Sequence, residues 1–344
     1  MITIVINEET QNKRIDIALS CSSEFSRSMI QKLIYENKIK RNGELVKKPN
    51  EITRLEDTFE IEEPTTNIDY IIPEEPTNNE LNILFEDEHM IVLNKPSHLI
   101  VHPGAGNPKG TLINYLAHHC QLSDMNGVER LGVVHRLDKG VSGCIILAKT
   151  NEAHINLSVQ FQNREVQKEY IAICYGNYFA NTGSKEAIEN TSGIMEDYMG
   201  RSTTNRKKMT TKSQEKYIGR KFNNHLYDVD IESSQGKHAV MEYHIQKCIY
   251  LNEKDGFITQ IQCFPKTGRM HQIRVQLSSR KLPIIGDATY GSKQNPKFIE
   301  ILGDRIALHA KSIEFIHPIS KATMKFEAPI PHEFAQLLEV ESQS

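Results

Sequence analysis

The sequence predicts a two-domain protein whose larger part is a mixed α/β or α+β fold. Three observations lead there. The chain has 344 residues, more than one ordinary domain of about 100–200 residues. Residues 64–80 hold three prolines, several Asn and Thr and no periodicity, and read as a linker. Beyond them, apolar runs of strand length alternate with segments of helical spacing. The division is a small domain over residues 1–63, an acidic linker over 64–80 and a large domain over 81–335.

In the small domain Ser26 is placed to cap a helix running to about Asn37, with Ile30, Leu33 and Ile34 as its apolar stripe. Arg27, Gln31 and Lys38 lie along one flank. Asn42-Gly43 marks a hairpin turn ahead of Glu44-Leu45-Val46. The large domain opens with a hairpin, Leu81–Phe85 and Met90–Leu93, turned at Asp87-Glu88-His89. Thr111 is placed to cap an amphipathic helix to about His119. Leu131–Val134 and Cys144–Ala148 read as two buried strands around an exposed loop. Residues 151–163 have helical spacing, while Tyr170–Tyr175 and Gly256–Phe264 read as strands. Thr267 is placed to cap a further helix with the stripe Met270, Ile273 and Leu277.

Composition excludes several classes. Hydrophobic residues make up 38% and charged residues 25% of the chain, which is globular rather than disordered. No run approaches the roughly 18 apolar residues of a membrane helix. The N-terminus lacks the basic segment and apolar core of a secretory signal. The six cysteines stand far apart with no C-x-x-C pair, as expected of reduced thiols in a cytoplasmic protein. The net charge of −3 hides a division: −2 over residues 1–63, −7 over 64–94 and +6 over 95–344. Two stretches are strongly basic. Residues 27–48 sum to +5 and include Arg27, Lys32, Lys38, Lys40 and Arg41. Residues 200–221 sum to +7 and include Arg206, Lys207 and Lys208. Each is either a solvated surface or a grip on a phosphate backbone.

The reactive candidates fall in three segments. His135-Arg136-Leu137-Asp138 sits in a turn between two apolar runs, where rigid strands can present a reactive carboxylate. Asp138 there is a nucleophile, a general base, a metal ligand or a turn residue capping its own backbone. Arg274 falls beside the apolar stripe of its helix, so burying it requires a carboxylate partner, and Asp138 is the candidate. Its alternative is to reach solvent with its head. Tyr170 enters a strand, as a core aromatic or as a stacking surface for a base. Metal and nucleotide chemistry score poorly. His98 and His102 are flanked by Pro and Gly, and no Gly-Lys-Ser/Thr follows Gly104-Ala105-Gly106.

These segments resemble the signature of the RluA-type pseudouridine synthases. His135-Arg136-Leu137-Asp138 with Ser142-Gly143 carries the likeness first. Thr267-Gly268-Arg269 with His271-Gln272-Ile273-Arg274-Val275 matches, as do Pro283–Asp287 with Tyr290-Gly291, Leu308-His309-Ala310 and His317-Pro318. The small domain resembles an S4 RNA-binding domain through Arg14-Ile15-Asp16, Ser26-Arg27-Ser28 and Asn42-Gly43. The sequence departs from the family pattern at Val141 and Met241, where Thr is usual. Asn37 and Arg41 replace a Gly and a Val usual in S4 domains, and residues 211–235 form a longer stretch than usual.

The resemblance implies an α+β fold: a pseudouridine synthase domain, with a mixed, largely antiparallel sheet and flanking helices, behind a small α/β S4 domain. It implies that Asp138 is the catalytic aspartate and Arg274 the arginine paired with it. Tyr170 is the active-site tyrosine. Arg136, with His135 beside it, enters the RNA in place of the flipped base. Arg269 and the basic residues above are the expected RNA contacts. Isomerisation conserves atoms, so no cofactor or metal is expected. Val101–Asn107 resembles family members that modify uridines in helix 69 of large-subunit rRNA, free or in an assembling particle. The protein is expected to be a monomer with no membrane partner. Two other readings remain open: a synthase acting on another rRNA or tRNA, and a non-catalytic rRNA-binding assembly factor.

Overall fold

The computed structural model describes residues 1–62 except 24 and 26, 74–75, 81–104, 107, 109–127, 130–176, 191–202, 208–211, 236–252, 256–291 and 295–340. Ser26, nearly all of the linker, and Arg206 and Lys207 lie outside them. The first unit is a four-stranded antiparallel sheet in the order β1-β4-β2-β3. Its strands are β1 (Ile2–Val5), β2 (Ile39–Arg41), β3 (Glu44–Leu45) and β4 (Thr58–Ile61), covered by α1 (Ile15–Cys21) and α2 (Arg27–Tyr35). The expected stripe Ile30, Leu33 and Ile34 packs with Ile15, Leu19, Phe59 and Ile61 into a separate core. The Asn42-Gly43 turn joins β2 to β3, both residues holding positive φ (53° and 85°), as a two-residue hairpin requires.

Two of the departures noted in the sequence have local reasons. Asn37 closes α2 at φ 58°, a left-handed position that Asn tolerates nearly as Gly does. Arg41 donates to Asp57 and lies over the Phe59 ring, 6.0 Å from its centroid.

The second unit is a ten-stranded sheet. It is built from β5 (Ile83–Glu86), β6 (Met90–Lys95), β7 (Ser142–Ala148), β8 (Gln167–Tyr175), β9 (Thr191–Arg201), β10 (Met209–Thr211), β11 (Lys237–Asn252), β12 (Gly256–Pro265), β13 (Leu308–Ile316) and β14 (Thr323–Glu327). The order is β10-β9-β11-β12-β8-β13-β7-β6-β5, with β14 paired to β13. Every pairing is antiparallel except β13 with β7. The helices are α3 (Leu112–His119), α4 (Asn151–Asn163), α5 (Gln272–Ser279), α6 (Pro296–Leu302) and α7 (His332–Glu339). No described helix is long and apolar enough to cross a membrane.

Local chemistry sets the helix ends. The Asn114 side chain accepts from Thr111 N (3.1 Å) at the start of α3, and Thr150 Oγ1 accepts from Ala153 N (3.3 Å) at the start of α4. Thr267 does not cap α5. Its hydroxyl accepts from Val240 N (2.9 Å) and donates to Gln272 Oε1 (2.7 Å), so it ties the preceding loop to β11. The helix starts instead from His271, held at φ 56°. Met270 therefore stays off the helix and is exposed, while residues 272–277 are all buried.

Three histidines are kept neutral by this packing. Burial is the main cause that pushes His135 down to about 3, and His154 and His309 to about 4. Unfolded, each titrates near 6.5. Between those values the unfolded chain binds more protons than the folded one. Stability is therefore full above about pH 6.5 and falls as pH drops toward 4, by up to about 1.4 kcal/mol per pH unit for each histidine. Melting followed at pH 7.5 and pH 4.5 checks this; equal midpoints would contradict it.

Candidate active site

The loop that carries Asp138 is shaped by a gap in the sheet. β13 runs beside β7 only at Ser142 and Gly143. Gly143 sits at φ 113°, and a Cβ there would lie 2.2 Å from Ala310 O, so only glycine fits the crossing. Past this point the edge of β7 is open, and residues 130–135 fill it. Ala148 N donates to Gly132 O (2.8 Å), Val133 bridges Leu147, and Ile146 N donates to His135 Nε2 (2.9 Å). Leu131–Val134 is therefore not the strand its apolar run suggests. Gly132 at φ 65° and a turn bond from Val133 N to Arg130 O bend it to a single bridge. His135 lines the cleft, but its ring serves the protein: it accepts from β7 and stacks on Phe161 at 4.5 Å. These contacts fix one limb of the loop.

Across the cleft, α5 delivers Arg274. Its Nη1 donates to Asp138 Oδ2 (2.7 Å), the pairing anticipated from the helix spacing. A second carboxylate completes the set: Arg274 Nε and Nη2 grip Asp287 Oδ2 and Oδ1 (2.8 and 2.9 Å). Asp287 is fully buried and also accepts from Thr289 N and Tyr290 N. Burial alone would raise its carboxyl, but these bonds hold it below the usual range. Burial likewise works against the Arg274 charge, and the two carboxylates more than offset it. The guanidinium also lies over the Tyr290 ring, 5.1 Å from its centroid. A two-toothed grip on Asp287 leaves one nitrogen aimed at Asp138.

Asp138 stands on a cleft of about 660 Å³, within the common range for ligand sites of about 300–1,000 Å³. It is the only acid among the described residues that line the cleft. Arg136, Arg164, Lys168, Lys266, Arg269 and Arg274 line it too. Arg136 is exposed. Arg269 Nε is tied to His238 O (2.8 Å), which aims that loop at the cleft. Tyr170, between β12 and β13, lines the same space. Burial, reinforced by the charge of Asp138, raises its phenol well above the usual value, so it stands as a neutral O–H. Val141 lines the cleft as well, while Met241 packs in the main core.

Several residues of the site carried no assigned role in the sequence. Asp287 and His271 lay inside quoted motifs, but nothing local marked them as partners of Arg274 and Asp138. Lys95 ends the apolar strand β6 and is fully buried; its Nζ donates to Pro96 O (2.7 Å) and Leu99 O (2.8 Å). Burial brings it down to about 7, against the opposing pull of Asp138. A lysine closing an apolar run was the signal available for it.

The small sheet distributes its basic residues unevenly. Asp16 is fully buried and accepts from Arg14, Arg27 and Gln31. Burial would raise its carboxyl, and those donors bring it to about 2. Arg27 and Arg41 are therefore committed within the protein, and Lys38 lies 3.6 Å from Glu36. Lys32 and Lys40 are exposed, and Lys208 is half-buried ahead of β10.

The chain belongs to the RNA pseudouridylate synthase family, whose model matches residues 89–279. It is a pseudouridine synthase, an isomerase. Ribosomal large subunit pseudouridine synthase D of Escherichia coli K12 is 33% identical over 98% of this chain and 94% of its own. The protein of that name from Zymomonas mobilis is 33% identical over 98% and 96%. The uncharacterized RNA pseudouridine synthase YlyB of Bacillus subtilis is also 33% identical, over 98% and 97%. Among solved structures, Human RNA Pseudouridylate Synthase Domain Containing 4 has TM-score 0.50 at 23% identity, covering 75% of this chain and 92% of its own. Human RNA Pseudouridylate Synthase Domain Containing 1 has TM-score 0.50 at 22%, covering 74% and 86%. Both support the fold.

Proposed function

We propose that this synthase isomerises uridines of large-subunit ribosomal RNA, in helix 69, with Asp138 as the reacting carboxylate. The observation that carries the reading is that, among the described residues lining the cleft, Asp138 is the one acid and the other charged side chains are Arg and Lys. The names of the curated relatives support the large-subunit target. A loop uridine leaves its stack at modest cost, since single-stranded bases are readily splayed out. Arg136 fills the space it vacates, and Tyr170 meets the flipped base. Asp138 attacks the sugar or base, or takes the 2′ proton, and the N1–C1′ bond opens. The base turns, C5 bonds to C1′, the C5 proton leaves and N1 takes one up. Arg274 holds the Asp138 carboxylate in place through its Nη1 hydrogen bond. Residues 1–63 act as an S4 domain that holds phosphates with Lys32 and Lys40, and the large domain adds Arg206, Lys207, Lys208 and Arg269, so binding weakens with salt.

The test offers the purified chain three RNAs labelled with tritium at uridine C5: a helix 69 stem-loop, another stem-loop of the large-subunit rRNA and a tRNA anticodon stem-loop. Tritium release from the first alone is expected. Release only from either of the others would replace the target, and binding without release from any would favour an assembly factor.

A further inference from the structure

One polar chain runs into the cleft from the edge of the sheet. Met209 N, on β10, donates to Tyr290 Oη at 2.9 Å. The same oxygen lies 2.8 Å from His271 Nδ1. His271 Nε2 then lies 3.7 Å from Asp138 Oδ2, the oxygen that already takes Arg274 Nη1. The rings of His271 and Tyr290 meet edge-on, with centroids 5.6 Å apart.

A phenol has one proton to give. The Met209 N–H occupies one acceptor position of the Tyr290 oxygen, and its O–H is free to donate to His271 Nδ1, which places the imidazole proton on Nε2. We propose that His271 is a positioning residue for Asp138, locked by Tyr290 as the Nε2–H tautomer so that its N–H steadies the carboxylate beside Arg274. With both donors on Oδ2, Oδ1 is left to react. The separation of 3.7 Å closes by less than about 1 Å when RNA fills the cleft, as active-site bonds commonly tighten in the complex.

The groups facing the ring agree with a single proton. Burial, Arg274 and Arg136 lower its proton affinity, Asp138 and Asp287 raise it, and the net is downward. The backbone contributes too: His271 holds φ 56° at the start of α5, which sets the direction in which its Cβ leaves the chain.

The inference rests on Asp138 being the reacting carboxylate, and two readouts keep the two claims separable. Two-bond ¹H–¹⁵N correlation of the ¹⁵N-histidine protein, assigned with His271→Asn, is expected to show the Nε2–H tautomer at pH 7. Tyr290→Phe is expected to mix the tautomers. An Nδ1–H tautomer or an imidazolium in the wild type overturns the proposal whatever the activity. In turnover on rRNA, His271→Asn tolerates the left-handed backbone and still reaches Tyr290, but has no group facing Asp138. It is expected to lose about 10–100-fold in kcat with KM unchanged. His271→Gln, which places an amide N–H near Nε2, is expected to recover most of that loss. Full activity in His271→Asn, or equal loss in both variants, overturns the positioning role. Activity surviving in Asp138→Ala would instead remove the reading beneath it and leave the tautomer standing.

Discussion

Asp138→Ala is expected to form no measurable pseudouridine while binding RNA as well as the wild type or better. Removing a reacting group that acts as part of a unit costs about 10⁴-fold or more in turnover. Binding survives because the variant deletes a negative charge from a cleft lined by Arg136, Arg164, Lys168, Lys266 and Arg269. The fold survives for a separate reason. Arg274 keeps its two-toothed grip on Asp287, so no buried charge is stranded. Single-turnover tritium release, RNA titration and a melting curve on one preparation check the three parts. A turnover rate within about tenfold of wild type would refute the role of Asp138.

Arg274→Ala is expected to lose both activity and stability, and the pairing of those losses distinguishes it from Asp138→Ala. Asp287 is fully buried, and without Arg274 it keeps two backbone donors and no counter-charge. Breaking a buried pair from one side costs about 3–5 kcal/mol. Asp138 loses its 2.7 Å partner at the same time. Arg274→Lys is expected to recover part of the stability but little of the activity, because an ammonium cannot fork to Asp287 and still reach Asp138. A stable, active Arg274→Ala would contradict both roles of the guanidinium.

The contrast between these two variants also marks where sequence reasoning stops. Helix spacing said that Arg274 needed a carboxylate, and Asp138 is one. It could not say that the guanidinium takes two, because a planar donor fork has two usable edges and only the fold brings Asp287 to the second. The same limit applies to His271. Its proximity to Asp138 depends on a left-handed residue at the start of α5, where a capping threonine was the expectation from local pattern.

The fold was legible where local chemistry decides. The Asn42-Gly43 hairpin, the helix over residues 151–163 and the strand from Gly256 all follow patterns within a few residues. It was not legible where the partner decides. Leu131–Val134 has the composition of a strand, but it meets an open sheet edge bent by Gly132 and forms one bridge. β11 is the longest strand among the described residues, and its buried positions 239, 241, 243 and 245 alternate. Two of these are Ala and Met rather than β-branched residues, so the alternation carries a weak strand signal. Composition gave the basic character of the small domain, yet it could not say that Arg27 and Arg41 bond to Asp16 and Asp57.

The most direct test of the central claim is a pseudouridine map of large-subunit rRNA from cells lacking this protein, re-expressing either the wild type or Asp138→Ala. Uridines of helix 69 are predicted to stay unmodified in the deletion, to regain pseudouridine with the wild type and to remain uridine with Asp138→Ala. A map unchanged by the deletion, or one restored by Asp138→Ala, would contradict it.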